Sequence, residues 1–539
     1  MIATMMMLAQ PPYAREGAAN HVMQATDGPQ VGTAPRTVHS GGRRETFAPS
    51  NNGEGSSQGQ LTQNRNVTPS RFKVRNKPVP TFPNPYPAAA LGNGPRGGPY
   101  FIMRWAEDWS DLGKPDANRS DLFDPLKFLP LRQDGSVYLT LSGETRARLN
   151  FTTNPRLREA RAEEQYLIRN VVGADLHLGP SFRAFGEVAS LAAFGSPGVD
   201  ASPMQKNDLL VQQLFGEIVV PVGKTRISVR VGRQEFADGP PNIVHLRPAP
   251  NVYTSLDGVK FSVDTSRFRA SLFDFKTVQL GRGAFDDPTN DRERFRGVST
   301  SFVLPTFNAF GGKAKLFFDP LVWNHRNKDK RWGTTLATDD RNFYGARLWG
   351  AVGDATVDIT ALKQDGRFGD RKISAWGLFV NAGYLLNDGP WHPRVGAHFD
   401  YTSGGGAYGQ GELNTFSFFY GSIPYFSWGN LIGPSNLMDI SANIRATPLP
   451  KVSATLEYSM LRKANANDAI YTFLEAPMAG TQLVSSRKIG GLIKADIAWQ
   501  ASPHLIVSLK ADFLSAGPAL TRAGYASSTF FGPEIHFRF

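Results

Sequence analysis

Residues 139–151 read Leu-Thr-Leu-Ser-Gly-Glu-Thr-Arg-Ala-Arg-Leu-Asn-Phe. The odd positions carry Leu139, Leu141, Gly143, Thr145, Ala147, Leu149 and Phe151; the even ones carry Thr140, Ser142, Glu144, Arg146, Arg148 and Asn150. A period of two sets these groups on opposite faces of a β-strand. Thirteen alternating residues exceed the usual strand of about five or six. That length suits a tilted strand that crosses a bilayer and emerges beyond it.

The pattern recurs. Val452, Ala454, Leu456, Tyr458 and Met460 oppose Lys451, Ser453, Thr455, Glu457 and Ser459. Val395, Ala397, Phe399 and Tyr401 oppose Arg394, His398, Asp400 and Thr402. The same spacing predicts strands near 138–151, 166–178, 181–195, 210–220, 225–236, 255–264, 267–276, 294–305 and 308–318. The second half adds 340–350, 353–364, 371–386, 392–403, 436–447, 450–462, 486–500, 503–515 and 527–539. The total is eighteen, and no amphipathic helix of comparable length competes.

Links between these strands alternate in length. Gly179–Pro180, Thr265–Ser266 and Ser502 mark short ones, while 237–254, 319–339, 404–435 and 463–485 are long. Short turns on one side and long loops on the other mark a transmembrane antiparallel β-barrel with periplasmic turns and extracellular loops. The chain stops on Phe539, with Ile535 and Phe537 on the same face; this ending resembles the carboxyl-terminal signature of bacterial outer-membrane barrels. An even strand number puts both barrel ends on the periplasmic side.

Composition agrees by exclusion. The 539 residues contain no Cys, which removes disulfides and thiolate metal sites, and no apolar run long enough for a helical span. Residues 1–98 are rich in Gly, Pro, Ser and Asn and read as a disordered basic arm, with an atypical or truncated signal region at 1–12. Residues 99–137 read as a periplasmic lead-in, and 138–539 as the barrel. The formal charge is +12, and residues 1–100 account for +6 of it. The mild excess left on the barrel does not make a nucleic-acid-binding surface.

A barrel this wide encloses water, so its polar faces line a channel. The basic residues assigned to the path are Arg146, Arg148, Arg169, Arg183, Arg230, Arg233, Lys260, Arg267, Arg269, Lys313, Lys315, Arg347, Arg394 and Arg445. Acidic partners on the same faces are Glu144, Asp175, Glu187 and Glu217. Rings of Arg and Lys select anions, which predicts an anion-selective porin. Reversing Arg146 and Arg148 is expected to alter selectivity and leave folding intact.

Arg104–Ser110 (RWAEDWS), Asp124–Leu131 (DPLKFLPL), Leu141–Arg148, Ala174–Pro180, Val229–Glu235 and Ser255–Val259 resemble, in that order, elements of the bacterial alginate export family. The likeness runs over roughly residues 100–539 and is strongest before residue 300. It implies an eighteen-stranded outer-membrane barrel with an electropositive pore that passes an anionic uronate polysaccharide outward, without catalysis or cofactor. Outer-membrane lipid, the polysaccharide and periplasmic export components are the implied partners. Two features depart from the family: every short link reads as six residues or fewer, where the best-studied kind of member carries a long periplasmic turn that can occlude the pore, and the basic arm is additional.

The other motifs are weak. Gly404, Gly406 and Gly409 fit a dinucleotide fingerprint, but no helix follows, so a flexible surface loop is expected. Residues 285–291 offer oxygen ligands but read as a solvated loop. The nine His show no ligand spacing, so no metal site is expected. Ser508, near His504, is a marginal candidate for a barrel-wall hydrolase. An uptake porin for small carboxylates or sugars is the alternative function.

Overall fold

The computed structural model describes residues 96–97 and 100–539, save 247–249, 310–311, 388, 390, 410 and 422. The expected arm at 1–98 and signal region at 1–12 fall almost wholly outside the described residues.

Eighteen antiparallel strands close into one barrel. They are β1 Val137–Thr152, β2 Glu163–Leu178, β3 Phe182–Gly195, β4 Asn207–Val222, β5 Thr225–Gln234 and β6 Leu256–Asp264. The middle third is β7 Phe268–Val278, β8 Thr289–Val303, β9 Gly312–Trp332, β10 Thr335–Val352, β11 Ala355–Phe368 and β12 Arg371–Leu385. The last third is β13 Arg394–Thr402, β14 Leu437–Leu449, β15 Val452–Lys463, β16 Lys488–Gln500, β17 Leu505–Ala516 and β18 Ser528–Arg538. β18 pairs with β1, from Phe530 opposite Thr152 to Arg538 opposite Glu144, and this seam removes the sheet edges.

The faces separate as the alternation requires. Val172, Leu214, Val231, Leu272, Ile444, Leu456 and Ile535 are exposed on the outer wall, while Glu144, Arg146, Arg148 and Asn150 are buried inside. Each outward apolar side chain stabilises the barrel only when hydrocarbon covers it, so this belt fixes the depth of insertion.

Two expectations about the links need correction. The expected long loop 319–339 is strand: β9 and β10 extend through it and meet at the two-residue turn Gly333–Thr334. Gly333 takes the left-handed φ of +57° that such a turn demands. Alternation persists through the stretch, since Leu321, Trp323 and His325 face inward while Val322 and Arg326 face outward. Its outer face turns charged because it stands above the hydrocarbon. On the periplasmic side, links 304–311 and 386–393 reach eight residues, two more than expected.

Candidate functional site: the lumen

The lumen is occupied by segments of the chain itself. The lead-in does not hang below the barrel. Residues 100–109 form a finger that rises into it and returns. Tyr100 and Trp109 meet at the base, with ring centroids 6.0 Å apart, against Phe128 and Tyr138 at the start of β1. The tip is a single 3-10 turn, Arg104–Ala106. There Arg104 donates to Glu187 of β3 at 2.8 Å and pairs with Glu144 of β1. The Arg230 guanidinium stacks 3.6 Å from the Trp105 ring, and Arg183 donates to the Trp105 carbonyl.

The lead-in then closes the seam. Leu129–Pro130 pair with Tyr138 and Leu139, where β1 extends past the end of β18. Phe123 stacks on the terminal Phe539 at 4.7 Å, and Phe539 exchanges backbone hydrogen bonds with Gly143. Lys127 is buried beneath, donating to the Leu141 carbonyl at 3.0 Å, with Glu107 3.9 Å away. Burial pushes the Lys127 ammonium down to about 8, against the pull of Glu107. The same burial raises the Glu107 carboxyl.

From the extracellular side two loops descend. In the β5–β6 loop, Asn251 accepts from Arg146 at 3.0 Å, and Tyr253 lies under the Arg169 guanidinium at 3.2 Å. Leu246 and Tyr253 join Phe101, Ile102, Met103 and Trp105 of the finger in one apolar cluster. The two plugs therefore meet in mid-lumen. Asp238 of the same loop takes both Arg269 amino groups; burial would raise its carboxyl, but Arg269 and Lys260 hold it below the usual range.

The β13–β14 loop, residues 403–436, packs on the inner wall of β7 to β12. Phe419 lies 5.0 Å from the Phe295 and Phe343 rings and 4.6 Å from His325. Phe273, Phe275, Trp323 and Phe379 of the wall belong to the same apolar core. Gly405 and Ala407 are buried while Tyr408 and Gly409 are exposed, so the expected surface loop at 404–409 is exposed only in part, and the expectation of polar inner faces throughout is corrected. The wall there is apolar on both faces: Leu272 and Phe273 are consecutive, as are Val322 and Trp323, one outward and one inward.

The sequence-predicted residues divide into four groups. Arg146, Arg148, Arg169, Arg183, Arg230, Lys260, Arg269 and Arg347 face inward and are buried, together with Glu144, Asp175, Glu187 and Glu217. Their contacts include Arg169–Glu144 at 3.2 Å, Arg183–Asp175, Arg230–Glu217 at 3.1 Å and Arg347–Asp358. Lys313 and Lys315 face inward and are exposed near the periplasmic mouth, and Arg394 and Arg445 face inward half-buried. Arg267 lies in the exposed β6–β7 turn. Arg233 is on the outer wall, opposite outward-facing Leu214, and bridges Asp257 at 2.8 Å. Its assignment to the lumen is corrected: Arg233 continues the outward row of Val229 and Val231.

The basic inner-face residues that keep exposure lie toward the periplasmic end of β9 to β14, here called the vestibule. Lys313, Lys315, Asn381, Arg394, Asn443 and Arg445 line it on β9 to β14, with Asp354 of the β10–β11 turn and Asp496 of β16 as nearby acids. Arg394 and Arg445 are direct cross-strand partners, and one Arg394 amino group has no hydrogen-bond partner. Among the described residues no carboxylate lies within ion-pair distance of Lys313 or Lys315. Ser508 and His504 share no hydrogen bond there; His504 engages Asp121 at 2.8 Å and Tyr100 at 3.0 Å. In the 285–291 loop the carboxylates of Asp286 and Asp287 accept backbone N–H groups of Arg282, Gly283 and Gly281.

Sequence reasoning missed Arg104, Trp105, Asp238, Asn251 and Tyr253 as lumen residues. The available signal was aromatic density: 416–428 holds seven aromatic residues in thirteen, too many for a solvated loop.

No curated protein matches the chain. The barrel superposes on the solved structure of OccK9 (OpdG) from Pseudomonas aeruginosa with a TM-score of 0.50 at 10% identity, covering 74% of this chain and 98% of that one. A BenF-like porin from Pseudomonas fluorescens Pf-5 aligns with a TM-score of 0.48 at 10% identity, covering 74% and 99%. OccK2 (OpdF) of P. aeruginosa, solved in complex with glucuronate, gives 0.47 at 10%, covering 74% and 98%. The family model for alginate export matches residues 137–533, from the first residue of β1 into the last strand. The match spans the whole cylinder and not one motif within it, and the chain belongs to the alginate export family, as a channel of the bacterial outer membrane.

Proposed function

We propose that the barrel is a passive conduit that passes an anionic polysaccharide, alginate, outward from the periplasm, with the basic vestibule as its point of capture. The observation that carries this is the pairing of Arg394 with Arg445 directly across two strands, beside the exposed Lys313 and Lys315. Like charges set opposite each other destabilise a sheet; Asp354 and Asp496 offset part of this charge, and a substrate carboxylate would offset more. Four cations on a water-filled wall attract a polyuronate through a focused field. Export components would present the chain at that mouth.

The filled extracellular half supports a second reading. A polymer needs the segments that fill the lumen to move, whereas small carboxylates need narrower gaps between them; uptake of such solutes is the alternative.

Bilayer conductance separates the two. The export reading expects anion preference and a current reduced by long polyuronate more than by monomeric uronate. Lys313→Glu with Lys315→Glu should weaken both effects while the protein stays heat-modifiable. Cation preference with no response to polyuronate would remove the export reading; block by the monomer alone would favour uptake.

A further inference from the structure

His398 and Asp400 lie two residues apart on the inner face of β13, and Asp439 of β14 is the register partner of Asp400. All three side chains are buried, with 4%, 1% and 1% of their surface exposed. One ligand atom from each lies within 4.8 Å of the others. His398 Nδ1 and Asp400 Oδ2 form an ion pair at 2.8 Å, and the two carboxylate oxygens of Asp439 beside them have no hydrogen-bond partner. Two donorless carboxylate oxygens thus face a His–Asp pair at one enclosed point. A buried carboxylate without donors is costly, and two side by side are costlier.

The far sides of the same groups are engaged. His398 Nε2 is 3.4 Å from Glu457 Oε1, and Glu457 is itself neutralised by Lys494 at 3.0 Å. An imidazole that donates Nε2–H to a carboxylate presents Nδ1 as its ligand atom, the outer arrangement that orients a metal-binding histidine, and a cation seated here would replace the Nδ1–Oδ2 contact. Asp400 Oδ1 accepts the Tyr425 hydroxyl at 3.0 Å, so Oδ2 remains available. Lys494 donates to the carbonyls of Pro424 and Tyr425 at 3.0 and 2.6 Å. These contacts lay the helical turn Ile423–Phe426 of the β13–β14 loop over the cluster.

We propose that His398, Asp400 and Asp439 bind one first-row divalent cation of the Zn²⁺ or Mn²⁺ class, which fastens the inward-folded 403–436 loop to the barrel wall through Asp400 and Tyr425. One imidazole and two carboxylates match such a cation, with water completing its coordination. Ca²⁺ requires six to eight oxygens, more than this set offers. The site departs from the sequence expectation of no metal, and it stands independently of which solute the channel carries.

The test uses the full, tag-free chain folded in detergent, stripped with EDTA and dialysed against Zn²⁺ or Mn²⁺, with bound metal counted by mass spectrometry. One equivalent should survive desalting. Asp439→Asn, which also relieves a buried charge and so should fold, should weaken binding by at least about tenfold, and Asp400→Asn should do the same. Bound metal should slow proteolysis within 404–435 in the parent protein and not in the variants. No stoichiometric binding by the parent would overturn the site, as would preference for Ca²⁺ or undiminished binding in both variants.

Discussion

Arg104 Nη1 lies 2.8 Å from Glu187 Oε2, and the two side chains, 83 residues apart in sequence, are almost entirely enclosed. The contact joins the finger tip to the wall of β3, and the same guanidinium reaches Glu144 of β1. Breaking a buried pair by removing one partner costs about 3–5 kcal/mol. Glu144 keeps Arg169, so the low end of that range is expected for Arg104→Ala. The finger should then undock while the barrel persists, seen as new tryptic cleavage before residue 120 and larger single-channel conductance. Unchanged protection of the finger would show that the pair does not hold it.

The aromatic loop offers the complementary test from the extracellular side. Phe419→Asp would set a carboxylate among Phe295, Phe343 and His325, where only the imidazole could answer it. An unpaired buried charge costs several kcal/mol after relaxation, so the loop should leave the wall. Conductance is expected to rise severalfold, with the heat-modifiable barrel retained. Phe419→Leu should behave like the parent protein.

The expectation about Arg146 and Arg148 changes with their burial. The Arg146 side chain is fully enclosed and held by Asn251, and Arg148 faces Glu534 across the seam. Replacing both by Glu would crowd carboxylates beside Glu144 and Glu534. The yield of folded barrel should fall sharply, where the sequence alone predicts intact folding. A heat-modifiable double variant at normal yield would contradict this.

The lead-in also carries a pH signature. In the docked lead-in Lys127 sits at about 8, below its ordinary value near 10.5, because burial disfavours the ammonium. Between those values the undocked chain binds more protons than the docked one, so docking strengthens as pH rises from about 8 to 10.5. Below about 8 the penalty is present in full. Protease protection of residues 100–127 should increase over that alkaline window in the parent protein and stay flat in Lys127→Met.

Gly143 touches the end of the chain. A Cβ at this position would collide with the Phe539 ring, which is wedged against Phe123 on its other side. Gly143→Ala should therefore force the terminal residue out of register with β1. Slower acquisition of the heat-modifiable form, rescued by Phe539→Ala in the same chain, would identify the clash as the cause.

The wall was legible because lipid imposes a rule on every second residue, and Leu139–Phe151 obeys it without interruption. The limits of β9 and β10 were not, because Pro320 and the charges from Arg326 to Arg331 look like a loop once the outer face no longer meets hydrocarbon. Which residues fill the lumen was harder still. Arg104–Glu187 and Arg146–Asn251 are contacts between segments whose positions follow only from closure of the ring. Asp439 reaches His398 and Asp400 across a 34-residue loop, so no spacing within the sequence announces the trio. The inward direction of Arg183 or Arg230 could be read from parity; its burial under Trp105 could not.

The finger has a bearing on how the barrel is born. Its base rests on His504 at the start of β17, the adjoining Phe123 of the lead-in rests on Phe539 after β18, and the finger tip rests on Glu144 and Glu187 from the first three strands. A half-made sheet offers the finger only part of its seat. Completion of the seat and joining of β18 to β1 are the same event, so the hole is stoppered as the ring shuts.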